Sequence, residues 1–292
     1  MELGIMLPQT TLPPALEAPP WEVEADPAAL AEVARAAEAA GFRYLCAPEH
    51  VALPLAREGT RGARYYDPFT TLGYLAAVTE RIRLVTYVLV LAYHHPLEVV
   101  KRLGTLDRLS GGRVDVGVGV GSLEEEFALL GAPFEGRGAQ ADDALRAITA
   151  ASGERVASYS GTHYDYRDYL VDPGLRPGTP TWIGGRSRRS LVRAVEFADI
   201  WSPFGLLAKQ AIAVFDEPRV RDAVQRHGRT PALVYYASGE RLDPLGDPDR
   251  STTLLDILRK AGARGLVVHP MSTSPAHYAD QLHALAELAA RG

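Results

Sequence analysis

The 292-residue chain has one cysteine, three methionines and only three lysines among its 31 basic residues. Each scarcity removes a class of function. Cys46, being alone, cannot close an intrachain disulfide. Lys101, Lys209 and Lys260 all fall in segments with helical spacing, so no lysine is offered at a strand end for Schiff-base chemistry. No apolar run approaches the roughly 20 residues needed to cross a bilayer, and the first residues lack the charged-then-apolar pattern of a secretory signal. A cytoplasmic protein is expected, with no membrane partner. The net charge of −5 comes with basic residues that are scattered except around Arg186 to Arg193, so no nucleic-acid stripe exists and nucleic acid is not an expected partner.

What the chain has in quantity is apolar residues, 47% of the total, arranged in an alternation of short β-rich runs and amphipathic segments. The runs are Leu3 to Leu7, Tyr44 to Ala47, Arg83 to Leu91, Val114 to Val118, Thr181 to Ile183, Ile200 to Ser202, Ala232 to Ala237 and Gly265 to His269. Between them the spacing predicts helices, among them one started by Asp26 and Pro27 and stopped at Gly41, one over Pro68 to Val78, one opened by Pro96 and one over Ala208 to Val224. Eight strand and helix pairs fit a closed (β/α)8 TIM barrel better than a doubly wound open sheet, which would normally have fewer strands. The expected architecture is therefore α/β: one barrel domain over residues 1–292, with a Tyr- and Pro-rich insertion, Ser158 to Pro180, between strands 4 and 5.

In such a barrel the working residues follow the C-terminal ends of the strands. Here they are Pro8-Gln9, Glu49-His50, Tyr87 to His94, Gly119-Val120-Gly121-Ser122, Gly184-Gly185-Arg186-Ser187, Pro203-Phe204, Ser238 and His269. They do not suit a metallo-hydrolase, because the first strand carries no His-x-His and the neighbours His94 and His95 would diverge on an extended chain. A glycosidase needs two carboxylates at the mouth, and only Glu49 is well placed, since Glu124 to Glu126 read as the solvated first turn of a helix. The Gly184-Gly185-Arg186-Ser187 corner, between a strand and a helix, has two readings. It is either a phosphate site built on free amides and the helix dipole, or a short turn in which Ser187 or Ser190 caps the helix.

The segments "YLCAPEHV", "RIRLVTYVLVLAYHHPLEVVKRLGTLDRLSGGRVDVGVGVGSLEEEFALLG" and "PTWIGGRSRRSLVRAVEFADIWSP" resemble the luciferase-like monooxygenase superfamily, above all its branch dependent on the deazaflavin coenzyme F420. The resemblance covers most of the chain. It implies that His50, preceded by Glu49, faces the reacting centre, with His50 and Glu49 as the catalytic residues. It implies a non-prolyl cis peptide behind the cofactor ring, which counting back from Pro96 places at Thr86-Tyr87. It also implies that Gly119, Val120, Gly121 and Ser122 lie beside the ring, and that Gly184, Gly185, Arg186 and Ser187 hold the phosphate. In sugar-phosphate dehydrogenases of the family an acid stands where this chain has Ser122, so that activity is disfavoured. Arg188, Arg189 and Arg193 would then meet an acidic cofactor tail or form a solvated helix face, and Tyr87, Tyr93 and Tyr235 are candidate walls.

The resemblance leads to an F420-dependent oxidoreductase transferring hydride to or from a small-molecule substrate, acting as a homodimer. The alternatives are an FMN monooxygenase using reduced flavin and oxygen, and a non-catalytic barrel subunit. No metal is expected.

Overall fold

The computed structural model describes residues 1–8, 10, 18–239 and 241–291; Gln9, one of the expected mouth residues, and part of the loop from Leu12 to Trp21 lie outside them. Strand β1 (Glu2–Met6) pairs in parallel with β2 (Tyr44–Ala47) on one side and with the final strand of the chain on the other. That double pairing closes a ring. The third stave is β3 (Arg83–Thr86) with its continuation β4 (Leu89–Val90), and both pair with β5 (Val114–Gly119). A hairpin, β6 (Val156–Ser160) and β7 (Asp165–Leu170), stands apart from the barrel within the insertion. The ring then continues through β8 (Thr181–Gly184), β9 (Ile200–Ser202), β10 (Ala232–Tyr236) and β11 (Gly265–Val268). Eight parallel staves result, and the chain is a (β/α)8 barrel.

Twelve helices are formed by the described residues. They are α1 (Pro20–Glu24), α2 (Pro27–Ala39), α3 (Glu58–Arg61), α4 (Pro68–Val78), α5 (Pro96–Ser110), α6 (Glu124–Leu130), α7 (Arg137–Ala151), α8 (Arg188–Phe197), α9 (Ala208–Ala213), α10 (Pro218–His227), α11 (Pro248–Lys260) and α12 (Pro275–Ala290). Their starts follow from local chemistry: Asp26, Asp67, Asp247 and Ser274 each accept a first-turn amide, and each precedes a proline whose fixed φ suits the first helical position. All three lysines lie on helices, as the spacing predicts.

Alternation along each strand sorts side chains into two cores. Met6, Tyr44, Cys46, Val85, Tyr87, Trp182, Ile200, Val234 and Val267 fill the barrel, so the lone cysteine is a packing residue. Ile5, Leu45, Leu84, Leu266 and Val268 face the helices, where Leu30, Val33, Ala34 and Ala37 of α2 meet them.

Two expected elements are interrupted. The third strand, expected over Arg83 to Leu91, stops at Thr86, resumes at Leu89 and ends in a 3-10 turn over Leu91–Tyr93. The helix expected over Ala208 to Val224 is broken before Pro218, whose ring disfavours helical geometry at Glu217 and lacks the amide a continuing helix would need.

Candidate active site

His50 follows β2 and lines a cavity of about 330 Å³ at the C-terminal mouth of the barrel. Its Nδ1 lies 2.7 Å from Glu126 Oε2. Glu126 is 1% exposed, and its second oxygen accepts the amides of Val51 at 2.6 Å and Ala52 at 3.2 Å, while Tyr93 donates to Oε2 at 3.1 Å. Burial alone would raise this carboxyl above the ordinary 4.5, but the hydrogen bond and charge of His50 and the two amides outweigh it and hold it lower. An ionised carboxylate only accepts, so Nδ1 carries the proton, and Nε2 has no partner among the described residues. The ring is braced edge-on by Tyr65, with centroids 4.6 Å apart.

Glu126 corrects the sequence reading, which placed Glu124 to Glu126 on a solvated turn. The first turn of α6 does carry three acids, but Glu126 is on the face that turns inward against the loop after β2. Helical spacing is the signal that could have found it, since the buried Phe127 stands beside it while Glu124 and Glu125 are exposed.

Glu49 has both oxygens occupied. One accepts the amide of Val90 at 2.7 Å and the other lies 2.7 Å from His94 Nε2, so Glu49 pins β4 and the start of the loop beyond it. His94 and His95 diverge as expected, His95 capping α5 through Leu97.

The non-prolyl cis peptide is present, but between Tyr87 and Val88, one residue beyond the Thr86-Tyr87 position expected by counting back from Pro96. It falls in the gap between β3 and β4, where the resemblance implies a bulge in the third strand. Thr86 is fully buried behind the cavity, exchanging hydrogen bonds with Gly117, its hydroxyl donating to the carbonyl at 2.8 Å and accepting from the amide at 3.0 Å. Tyr87 lines the cavity and its hydroxyl meets Ser202, while Val88 projects between Gly119 and Gly184. A Cβ on Gly119 would fall 2.6 Å from one Val88 methyl and a Cβ on Gly184 would fall 2.5 Å from the other. These glycines therefore make room for Val88, which with Tyr87, Met6 and Tyr236 forms an apolar floor.

Gly119, Val120, Gly121, Ser122, Gly184 and Gly185 all line the cavity; Arg186 and Ser187 continue beyond it. Gly185 has φ +126°, a conformation that side chains rarely adopt. Ser187 caps α8 by accepting the amide of Ser190 at 3.3 Å, so the capping reading of this serine holds. The amides of Arg188 and Arg189 open the helix without helical acceptors, and no acid stands in that first turn. Arg188 pairs with Glu217 at 3.2 Å, and Arg193 is committed to Asp142 and to the carbonyl of Gly138. Tyr93 is at the cavity, whereas Tyr235 points outward and donates to Leu206; its neighbour Tyr236 takes the wall position. His269 is buried against Glu22, outside the cavity.

The luciferase-like monooxygenase family profile matches residues 1–241. The chain belongs to that family. It is 31% identical over 181 residues to an uncharacterized protein of Mycobacterium tuberculosis, a match covering 58% of this chain and 62% of the relative. An FMNH(2)-dependent dimethylsulfone monooxygenase of Pseudomonas putida is 25% identical over 201 residues, 67% of this chain and 54% of that one. The chain thus spans less than two thirds of the length of either relative. A coenzyme F420 dependent tetrahydromethanopterin reductase from Methanopyrus kandleri shares the fold at TM-score 0.73 and 17% identity, with 99% of this chain and 98% of that chain covered.

The cavity fits a flat ring with a phosphorylated tail. Its floor is apolar, its rim carries His50, Ser122 and Ser238, and its far wall ends at Gly184 and Gly185 just before the open helix start of α8.

Proposed function

We propose that the protein is an oxidoreductase that binds coenzyme F420 at the barrel mouth and transfers hydride between it and a small organic substrate. The observation that carries this reading is the His50–Glu126 pair: an imidazole lining the cavity whose Nδ1 is held by a buried carboxylate, leaving Nε2 without a partner among the described residues. F420, when bound, supplies a two-electron hydride carrier. Nε2 of His50 takes the proton of a substrate hydroxyl as the adjacent C–H bond is oxidised, or returns it to a carbonyl oxygen in the opposite direction. Glu126 stabilises the imidazolium that forms. Glu49 is a positioning residue in this scheme, fixing the β4 segment through Val90 and His94. Val88 and Tyr87 support the ring, and Gly184, Gly185, Arg186, Ser187 and the α8 amides hold the phosphate.

A second reading, an FMN monooxygenase supplied with reduced flavin, is favoured by the sequence relation to the dimethylsulfone enzyme. The same residues serve it. Native mass spectrometry of the protein with F420 and with FMN separates the two, together with oxygen uptake when reduced FMN is supplied. A stable F420 complex without oxygen uptake supports the first reading. Retention of FMN with oxygen consumption moves the assignment to the second, and retention of neither rejects both.

A further inference from the structure

Three arginines stand on the segment between β2 and α4, and their guanidinium groups are occupied to different extents. Arg57 donates to Glu125 through Nε at 2.9 Å and Nη2 at 2.6 Å. Arg64 donates to the carbonyls of Val23 at 2.9 Å and Glu22 at 2.6 Å. Arg61, at the end of α3, makes one side-chain hydrogen bond, from Nη2 to Ser122 Oγ at 3.2 Å. Among the described residues no carboxylate comes within 4.0 Å of it. Glu125 feels its charge but is hydrogen-bonded to Arg57.

Arg61 is half-buried and lines the same cavity as His50. The two are coupled through Tyr65, whose hydroxyl donates to the Arg61 carbonyl at 2.7 Å and whose ring braces the His50 imidazole. A guanidinium presents five N–H donors in a planar fork, so a single hydroxyl leaves most of the fork unmatched. An anion entering the cavity would match the open part of the fork with charge-assisted hydrogen bonds.

We infer that Arg61, with Ser122 beside it, binds a carboxylate on the substrate of the reaction proposed above, at the end remote from the atom presented to His50. The inference rests on that reading only in taking the cavity as the substrate site. The acidic tail of a cofactor offers the same chemistry, and the cofactor titrations in the test below separate that source from the substrate.

The test uses matched pairs: pyruvate, 2-oxohexanoate and phenylpyruvate, each against its methyl ester, titrated calorimetrically into protein already titrated with F420 and, separately, with FMN. At least one acid is expected to bind ten times or more tightly than its ester. R61A and R61Q should bring acid and ester to within twofold, R61K should retain part of the difference, and added salt should weaken the acid alone. Equal or absent binding of acid and ester in every pair, or discrimination that survives R61A and R61Q, overturns the inference. A tenfold loss of cofactor affinity in those variants without change in the acid-to-ester ratio also overturns it, because the guanidinium then serves the cofactor. Intact discrimination in a protein that binds neither cofactor would instead sink the functional reading and leave this one standing.

Discussion

Glu126 Oε2 sits 2.7 Å from His50 Nδ1 while the other oxygen of the same carboxylate accepts the amides of Val51 and Ala52. One side chain from α6 thus fixes the ring and the backbone that carries it. The ring cannot rotate without breaking a charge-assisted bond, and the loop cannot shift without stripping two donors from a buried acceptor.

The first prediction concerns that bond. In E126Q the amide presents N–H groups to partners that themselves donate, so the folded protein should lose about 1 to 3 kcal/mol. Nitrogen NMR of His50 should show a single Nδ1–H tautomer for the neutral ring in the parent and a mixture in E126Q. A variant with unchanged melting and an unchanged tautomer would show that Glu126 does not set the ring.

For His50 itself, replacement by Ala should leave cofactor affinity within about threefold while turnover falls about a hundredfold to ten-thousandfold, the range for losing a positioned acid or base. Single-turnover absorbance of the bound cofactor, with a substrate found by screening, reads this directly. A matching loss of cofactor binding would instead make His50 a cofactor ligand.

Val88 and Gly184 give a steric prediction. G184A places a Cβ 2.5 Å from Val88 Cγ1, and such overpacking costs about 1 to 3 kcal/mol. V88A removes that methyl and leaves Val88 Cβ at 3.6 Å, an ordinary contact, so the double variant should recover part of the loss. Strictly additive melting shifts would count against the packing described here.

Acid sensitivity should come from the cluster at α1. Glu22 accepts both terminal nitrogens of Arg241, at 2.7 and 2.9 Å, and lies 3.3 Å from His269 Nε2. Burial would raise the Glu22 carboxyl, but the bonds from His269 and Arg241 prevail and lower it below 4.5. His269 is pushed down from 6.5 by burial despite Glu22. Both signs agree: unfolding takes up a proton at His269 as pH drops below 6.5, and at Glu22 as it drops below 4.5, so stability declines in that order. H269N should flatten the first decline in a melting series, while R241M, which strands a buried carboxylate, should cost about 3 to 5 kcal/mol at neutral pH.

The strands and most helices were legible because apolar runs, N-cap acids and Pro at helix starts act locally. What sequence could not supply was set by contacts across the ring. Glu126 is reached from His50 over 76 positions, and its burial depends on how α6 folds back over the loop after β2. Glu49 reads as a free acid until β4 brings it the amide of Val90. Tyr235 and Tyr236 could be assigned to the outside and the wall, respectively, only once the inward face of β10 was known, because a strand buried on both sides shows no polar alternation.

The most direct test is a crystal structure of the protein with F420. It should show the ring within the cavity against Val88, one edge in reach of His50 Nε2, and the phosphate on the amides from Gly185 to Arg189. A ring bound outside that cavity, or a phosphate held away from the start of α8, would contradict it.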